Sequence, residues 1–565
     1  MSEAAVQATV PGGGVAARLR GAVVYALLAV LSFGLFAPGF LDLPPFDRDE
    51  ARFAQASSQM LESGDLIDIR FQDEPRWKKP VGIYWLQSAA TALIDADAKV
   101  IWTYRVPSLL GAVLSVLLTA WAGTRLFGPA AGALAGVMLA GCVVLGVEAR
   151  MAKTDAVLLA TLTAAQAVLA AVYVGRDGPA PGRGVAALFW VVAGVSVLVK
   201  GPIVALVSGG TVAALALWDR RIAWVKRLRP LMGLGIVAAI AAPWLIAIAI
   251  QTKGAFFAES VGHDMLGKVA GGQEGKGLPP GYYLGTFWIT FAPWSFLTLL
   301  ALPWVWARRN EAAVRFCVAW IVPTWVVFEA VPTKLLHYTS PTFPAIAMLT
   351  AAAALDAFGR TEERPRRTLF IAAAALGALT YGALTAAVAV IPWLVDQRID
   401  WAAVAMVPVV LGLFTLAVRT LAVRGGARRR TGVAVAAALT SAAVLYGVTY
   451  QFVLPRIDGL WISRSAAAAV AAARPCPDSV VASAGYTEPS LVFLAGTRTK
   501  LGGGAMAAEH MKADPACALA LVEERQEAEF RSFLGGTEPR ALAQVRGFNY
   551  NNGRRIALTL YGPAR

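Results

Sequence analysis

The sequence predicts an all-α polytopic membrane protein of about thirteen transmembrane helices, followed by a small α/β C-terminal domain. Three observations carry this. Only 15% of the residues are charged and 57% are hydrophobic, whereas soluble domains carry about 25% charged residues. Apolar runs of about 20 residues recur along most of the chain, each long enough for a hydrocarbon core of about 30 Å. After Pro455 these runs stop and short segments separated by turn residues begin.

In chain order the spans are expected at 20–40, 101–125, 130–147, 156–174, 185–199, 202–218, 231–250, 282–306, 314–330, 337–358, 369–394, 401–421 and 432–453. The first follows Arg18 and Arg20 and is long enough to stay in place as a signal anchor. Residues 41–81 read as a long polar loop, and 82–98 as a shorter helix lying at the interface. Lys200-Gly201-Pro202 separates the short fifth and sixth spans, and Pro243 falls inside the seventh, where a bundle tolerates it. Two domains follow: 1–454, membrane-embedded, and 455–565. In the second, 480–485, 491–496 and 518–524 read as strands and 523–534 as a helix. Residues 541–550 and 554–562 read as a hairpin around Asn551-Asn552-Gly553.

Charge sets the expected orientation. The net charge is +15, but the basic residues gather in the connections after the even-numbered spans, as in 220–229, 308–315 and 419–430. That pattern is membrane topology with the basic loops in the cytoplasm, not a nucleic-acid footprint. Loop 41–81 holds nine acidic and six basic residues and belongs on the opposite face. An odd number of spans then puts the N-terminus in the cytoplasm and the C-terminal domain in the periplasm, with the bundle in the inner (plasma) membrane. Cys142 and Cys317 lie in apolar runs and read as inert core. Cys476 and Cys517 lie in the C-terminal domain, where an oxidising space would let them pair.

Ionisable groups at membrane depth are costly and usually functional. Loop 41–81 offers Asp49, Glu50 and Arg52 at the start of a helix, then Lys78, Lys79 and Pro80 before Tyr84-Trp85. On composition alone an interfacial helix with capping charges accounts for the first group. The same face repeats the theme at other span ends: Glu148, Arg150, Lys153 and Asp155; Lys200; His263, Asp264 and Lys268; and Lys334, His337 and Tyr338. Singly, each has a structural reading as a cap, a snorkelling lysine or a loop residue. Together they gather carboxylates, cations and imidazoles on one face, a setting for an anionic lipid-linked substrate.

The segments 49–65, 78–85, 149–159, 197–203, 261–268, 281–284 and 334–349 resemble, in order and spacing, the lipid-linked-sugar glycosyltransferases of the multispan GT-C fold. The branch they resemble is the bacterial lipid A aminoarabinose transferases and their dolichyl-phosphate-mannose-type relatives. The likeness covers about 350 residues and leaves the C-terminal domain unmatched. It implies a sugar donor on polyprenyl phosphate and a lipid or glycan acceptor, with lipid A one possibility. It also implies Asp49 as the catalytic base and Asp155 as a second catalytic carboxylate. Arg52, Lys79, Lys200 and His263 would hold the phosphate, while Glu50, Lys78, Tyr84, Lys334, His337 and Tyr338 would border the substrates. One position departs from the pattern. The aminoarabinose transferases usually carry Glu, a candidate metal ligand, before the Lys-Pro pair; here it is Lys78. The departure argues against a divalent metal at His263, so no metal ligand is assigned, and it favours a neutral or acidic sugar over a cationic one. A transporter or flippase of lipid-linked substrates is the competing function; it would call for ionisable groups at mid-depth and internal repeats. A ligand sensor would not need the loop cluster at all.

Overall fold

The computed structural model describes residues 15–46, 48–94, 99–267, 277–359, 366–423, 427–536 and 538–563. Asp47 and Lys268 lie outside them. Among the described residues, helix occupies each of the thirteen segments expected to span. Eight helices among the described residues are long and apolar enough to cross a membrane alone, and nine if the bent pair Tyr282–Thr290 and Ser295–Ala307, which meet at 118°, counts as one. The apolar helices Gly21–Phe36, Pro129–Gly141 and Ala205–Asp219 are shorter. By length and apolarity alone, then, thirteen crossings are not reached. Cys142 breaks the third expected span into α5 (Pro129–Gly141) and α6 (Val143–Glu148). The protein is a multi-pass membrane protein.

Loop 41–81 is itself ordered. It forms α2 (Asp49–Ser63) and a two-strand ribbon, β1 (Arg70–Phe71) against β2 (Glu74–Pro75). After it, α3 (Gly82–Ile94) is the short helix expected there. Helix α2 begins on an acidic pair, Asp49 and Glu50, that suits the positive end of the helix dipole. It ends on Gly64, whose φ of +73° supplies the left-handed turn that stops a helix.

Glu50 fastens this region to the bundle. Its side chain is fully buried, with Oε1 accepting from Arg105 Nε at 2.8 Å and from the Ala152 N–H at 2.8 Å. Arg105, on α4 (Ile101–Phe127), also donates to the Leu43 and Pro44 carbonyls. One buried pair thus ties the start of α2, the chain entering it and the loop 149–154.

From Ile462 onward the chain folds around a five-stranded sheet of order β4-β3-β5-β7-β6. Its strands are β3 (Val481–Ala484), β4 (Lys500–Gly502), β5 (Leu519–Glu523), β6 (Arg540–Asn549) and β7 (Arg554–Gly562). β3 runs parallel to β4 and β5, while β7 is antiparallel to β5 and β6. Alternation along β5 sends Leu519 and Leu521 into one apolar layer with Ile462, and Ala520 and Val522 into another with Met511 and Phe530. The β6–β7 hairpin turns at Gly553, φ +71°. One expected strand is wrong: 491–496 belongs to a helix, Pro489–Ala495. Its run Leu491-Val492-Phe493 is buried on every side, and an apolar run that short carries no period to tell strand from helix. Pro489 at the first helical position was the usable signal. Cys476 and Cys517 are disulfide-bonded, their Cα atoms 5.4 Å apart, and Cys142 and Cys317 are free and buried.

The sheet domain packs on the end of the bundle that carries α2. Phe493 meets Tyr104 edge-on at 5.6 Å, and Gln72 Nε2 donates to the Thr497 carbonyl at 2.9 Å. Gln55 Nε2 donates to Thr497 Oγ1 at 2.8 Å.

Candidate active site

At that end of the bundle a cavity opens between α2, the ribbon loop and several helix termini. Helix polarity explains its charges. Asp155 starts α7 (Asp155–Val174), and Lys200 ends α8 (Arg183–Lys200). A carboxylate suits the first terminus and an ammonium the second. The antiparallel arrangement brings them together, and Lys200 Nζ donates to Asp155 Oδ1. Lys79 Nζ donates to Asp264 Oδ2 at 2.7 Å, and Lys153 Nζ to Glu148 Oε1 at 3.1 Å. His337 stands between two carboxylates, Nδ1 3.4 Å from Glu148 Oε1 and Nε2 3.4 Å from Asp155 Oδ1. Lys200 Nζ also lies over the Tyr338 ring, 5.6 Å from its centre.

Of the residues singled out in the sequence, Asp49, Arg52, Lys78, Lys79, Asp155, Lys200, His337 and Tyr338 line the cavity. Four do not. Glu50 is committed to Arg105. Tyr84 is fully buried beneath the wall. His263 is exposed on the helix Ala258–Leu266, and its neighbour Asp264 faces the cavity instead. Lys334 is buried and donates to the Phe328, Glu329 and Val331 carbonyls. Sequence reasoning placed Lys153 and Asp264 in the polar cluster without a specific role and passed over Arg76; all three line the cavity. Each stood within two residues of one already chosen, which was the available signal.

Asp49 stays ionised. Burial pushes its pKa up, but the charges of Lys153, Arg76 and Arg52 outweigh that and hold it below the usual aspartate value. Burial would likewise strip the proton from Lys153, yet Glu148, Asp155 and Asp49 raise its pKa and keep it charged. Burial lowers the pKa of His337, against the pull of Asp155, and leaves it neutral near pH 7.

Glu148, Asp155 and His337 bring ligand atoms within 4.8 Å of one another, a spacing that could close on a metal ion. The charges do not fit one. Both carboxylates already hold a lysine ammonium, each of which a cation would have to displace.

Comparison with known proteins agrees with this geometry. Residues 78–246 match the family model of dolichyl-phosphate-mannose-protein mannosyltransferases. The chain is 28% identical to an undecaprenyl phosphate-alpha-4-amino-4-deoxy-L-arabinose arabinosyl transferase of Aeromonas salmonicida, over 57% of this chain and 58% of that protein. It is 24% identical to one of Pseudomonas fluorescens, over 58% of this chain and 55% of that protein. The match thus spans less than two thirds of these relatives' lengths. Among solved structures, ArnT of Cupriavidus metallidurans bound to undecaprenyl phosphate superposes with a TM-score of 0.70 at 19% identity, covering 96% of this chain and 98% of ArnT. The oligosaccharyltransferase of Archaeoglobus fulgidus superposes with a TM-score of 0.54 at 12% identity, covering 89% and 69%. The chain has the GT-C fold, and the resemblance seen in its motifs extends through the C-terminal domain at the level of fold.

Proposed function

We propose that the chain is a membrane glycosyltransferase that moves a sugar from a polyprenyl-phosphate donor to an acceptor hydroxyl or phosphate, such as one on lipid A or another envelope glycan. The observation that carries this reading is one cavity holding an ionised Asp49 among cations suited to a phosphate: Arg52, Lys79 and Lys200. In the reaction the acceptor oxygen bonds to the anomeric carbon as the bond from that carbon to the phosphate oxygen breaks. Asp49 takes the acceptor's proton where the acceptor is a hydroxyl. The phosphate leaves with the bonding electrons, and the ammonium and guanidinium groups stabilise the charge it gains. Asp155 holds Lys200 and faces His337, orienting the cationic wall.

The periplasmic face of the inner membrane suits this chemistry. The disulfide belongs in an oxidising compartment, and the C-terminal domain that carries it packs on the cavity end of the bundle. Polyprenyl phosphate is then the leaving group, with no nucleotide sugar required. The test is transfer by purified protein from an undecaprenyl-phosphate-linked sugar, with product read by mass spectrometry. Accumulation of glycosylated acceptor is expected. Specific binding of undecaprenyl phosphate without transfer to any envelope acceptor would favour a carrier role instead.

A further inference from the structure

The residue just before Asp49 holds its backbone in a shape that side chains rarely allow. Arg48 opens α2 with φ of 65° and ψ of −95°, and its own side chain makes no capping bond. Arg220, Arg229 and Gln397 also have positive φ, but each closes a helix in the ordinary left-handed turn, with ψ of 32°, 63° and 32°. Arg48 begins a helix, and its ψ lies outside that turn. A non-glycine residue in such a conformation persists only where its surroundings over-determine it. The whole start of α2 is built on it, because the Arg48 carbonyl accepts from the Arg52 N–H at 2.9 Å.

Two clamps flank Asp49. Glu50, which follows it, is held by Arg105 of the bundle, and its Oε2 accepts from the Phe46 N–H at 2.8 Å. Arg48, which precedes it, reaches the C-terminal domain, with Nε 3.5 Å from Glu488 Oε2. Glu488 is buried and stands just before the helix Pro489–Ala495, outside the sheet. Asn549, at the end of β6, donates from Nδ2 to Glu488 Oε1 at 3.1 Å and pins the second oxygen. With its acid buried and pinned, the pair keeps one geometry, unlike an ion pair between two mobile surface chains. The Phe46 ring meets Trp461 edge-on at 5.3 Å and closes the same corner. Among the described residues the ion-pair partner of Glu488 is Arg48, so a buried acid of one domain is answered from the other.

We infer that Glu488 is a positioning residue for transfer: through Arg48, the C-terminal domain holds the first turn of α2 so that Asp49 faces the cavity. This rests on the glycosyltransferase reading, in which Asp49 is the base, and deepens it. Without Glu488, Arg48 relaxes toward negative φ and the turn that begins at Asp49 rotates. The carboxylate then leaves its place among Lys153, Arg76 and Arg52. A displacement of about 1 Å costs on the order of a hundredfold in rate. Lys79 and Lys200 stand on other elements and keep their places, so donor binding is largely retained.

The experiment uses the full chain in lipid nanodiscs. The donors are undecaprenyl phosphate carrying a hexose, a hexuronate or an aminopentose, and the acceptor is an envelope lipid extract. Wild type is compared with Glu488→Gln, with Arg48→Gln, with the two combined, and with Arg48→Gly in the Glu488→Gln background. Glu488→Gln keeps the side-chain volume and the oxygen that Asn549 bonds, so the thermal midpoint should barely move. Its kcat should fall roughly tenfold to a hundredfold, with donor KM and undecaprenyl phosphate binding within about threefold. The combined Gln variant should lose no more than either single one, because both break the same link. Arg48→Gly should recover part of the kcat lost in Glu488→Gln, since glycine takes positive φ without a tether. Unchanged kcat, losses that multiply, no recovery with Arg48→Gly, or a fall in midpoint that tracks the fall in kcat would each overturn the inference. No transfer by wild type from any of the donors, or Asp49→Asn turning over at the wild-type rate, would instead overturn the reading beneath it.

Discussion

The cavity wall and the C-terminal sheet are built on opposite principles. Strand β5 is buried along its whole length, and its two faces are filled by alanine, leucine and valine. Such a layer needs apolar volume and shape, and many residue combinations supply them. The cavity wall and the layer behind it bury Glu50, Arg105, Glu148, Lys153 and Asp155, which are tolerable only with specific partners. Identity is therefore fixed residue by residue at one end, whereas the other end fixes little beyond polarity and size. Function should fail separately from stability in the cavity, and stability separately from function in the sheet.

The largest effect expected is on catalysis alone. Asp49→Asn keeps the side-chain volume but removes the proton acceptor, so kcat should fall by about 10²–10⁴ while the thermal midpoint in detergent barely moves. Equal loss of activity and stability would show Asp49 to be a packing charge like Glu50. Because its pKa lies below the normal aspartate value, Asp49 stays deprotonated in mild acid. The rate should therefore not fall through pH 5–6 on its account.

Glu50 and Arg105 lie where the two principles meet, since they are charged yet play a packing role. Arg105→Met leaves the fully buried Glu50 carboxylate without its partner, and breaking such a pair costs about 3–5 kcal/mol. Activity should disappear with the folded fraction. Converting both positions to apolar residues of similar volume should restore the midpoint, and chemical denaturation would measure both steps. In the sheet domain, replacing Cys476 and Cys517 by serine opens a loop whose ends are 41 residues apart. The chain-entropy model puts that at about 3–4 kcal/mol. The domain should melt earlier, while transfer measured well below the melting point stays near wild type. A comparable loss of transfer in the cold would mean that the contacts from Gln55 and Gln72 to Thr497 position α2.

This contrast also accounts for what the sequence disclosed. Asp49, Lys79, Asp155, Lys200 and His337 could be gathered before any coordinates, because charges at span ends have few cheap explanations. Which charges pair could not be read. Glu50 and Asp49 are adjacent in the chain, yet one points to Arg105 and the other into the cavity. Lys334 looked like a site residue, but it caps the end of the helix Ala312–Ala330 through three carbonyls. Arg76 lies two residues from Lys78 and was overlooked, because only the fold brings it to the cavity beside Asp49. In the sheet domain the alternation along β5 was legible. The helix Pro489–Ala495 was not, since tertiary burial on all sides erased the pattern.

The smallest effect expected is at Lys78, which borders the cavity but is exposed to solvent. Its side chain makes no ion pair with a described residue, unlike that of Lys79. Exchanging its charge in Lys78→Glu should leave stability within the small range of surface pairs, about 0–1 kcal/mol. Its effect on the donor should act through the field alone. KM for an anionic donor should rise roughly threefold to tenfold with kcat unchanged, and the difference should shrink as salt shortens the Debye length from about 10 Å at 0.1 M to about 3 Å at 1 M. A change in kcat that persists at high salt would mean that Lys78 touches the reacting groups and belongs with Lys79. The same variant tests the metal question, because it restores the acid that the resembled family carries before the Lys-Pro pair. Wild-type transfer should survive exhaustive chelation, since lysines already occupy Glu148 and Asp155. If Lys78→Glu becomes sensitive to chelation and is rescued by zinc, this one position decides between a wall closed by cations and a wall closed by a metal.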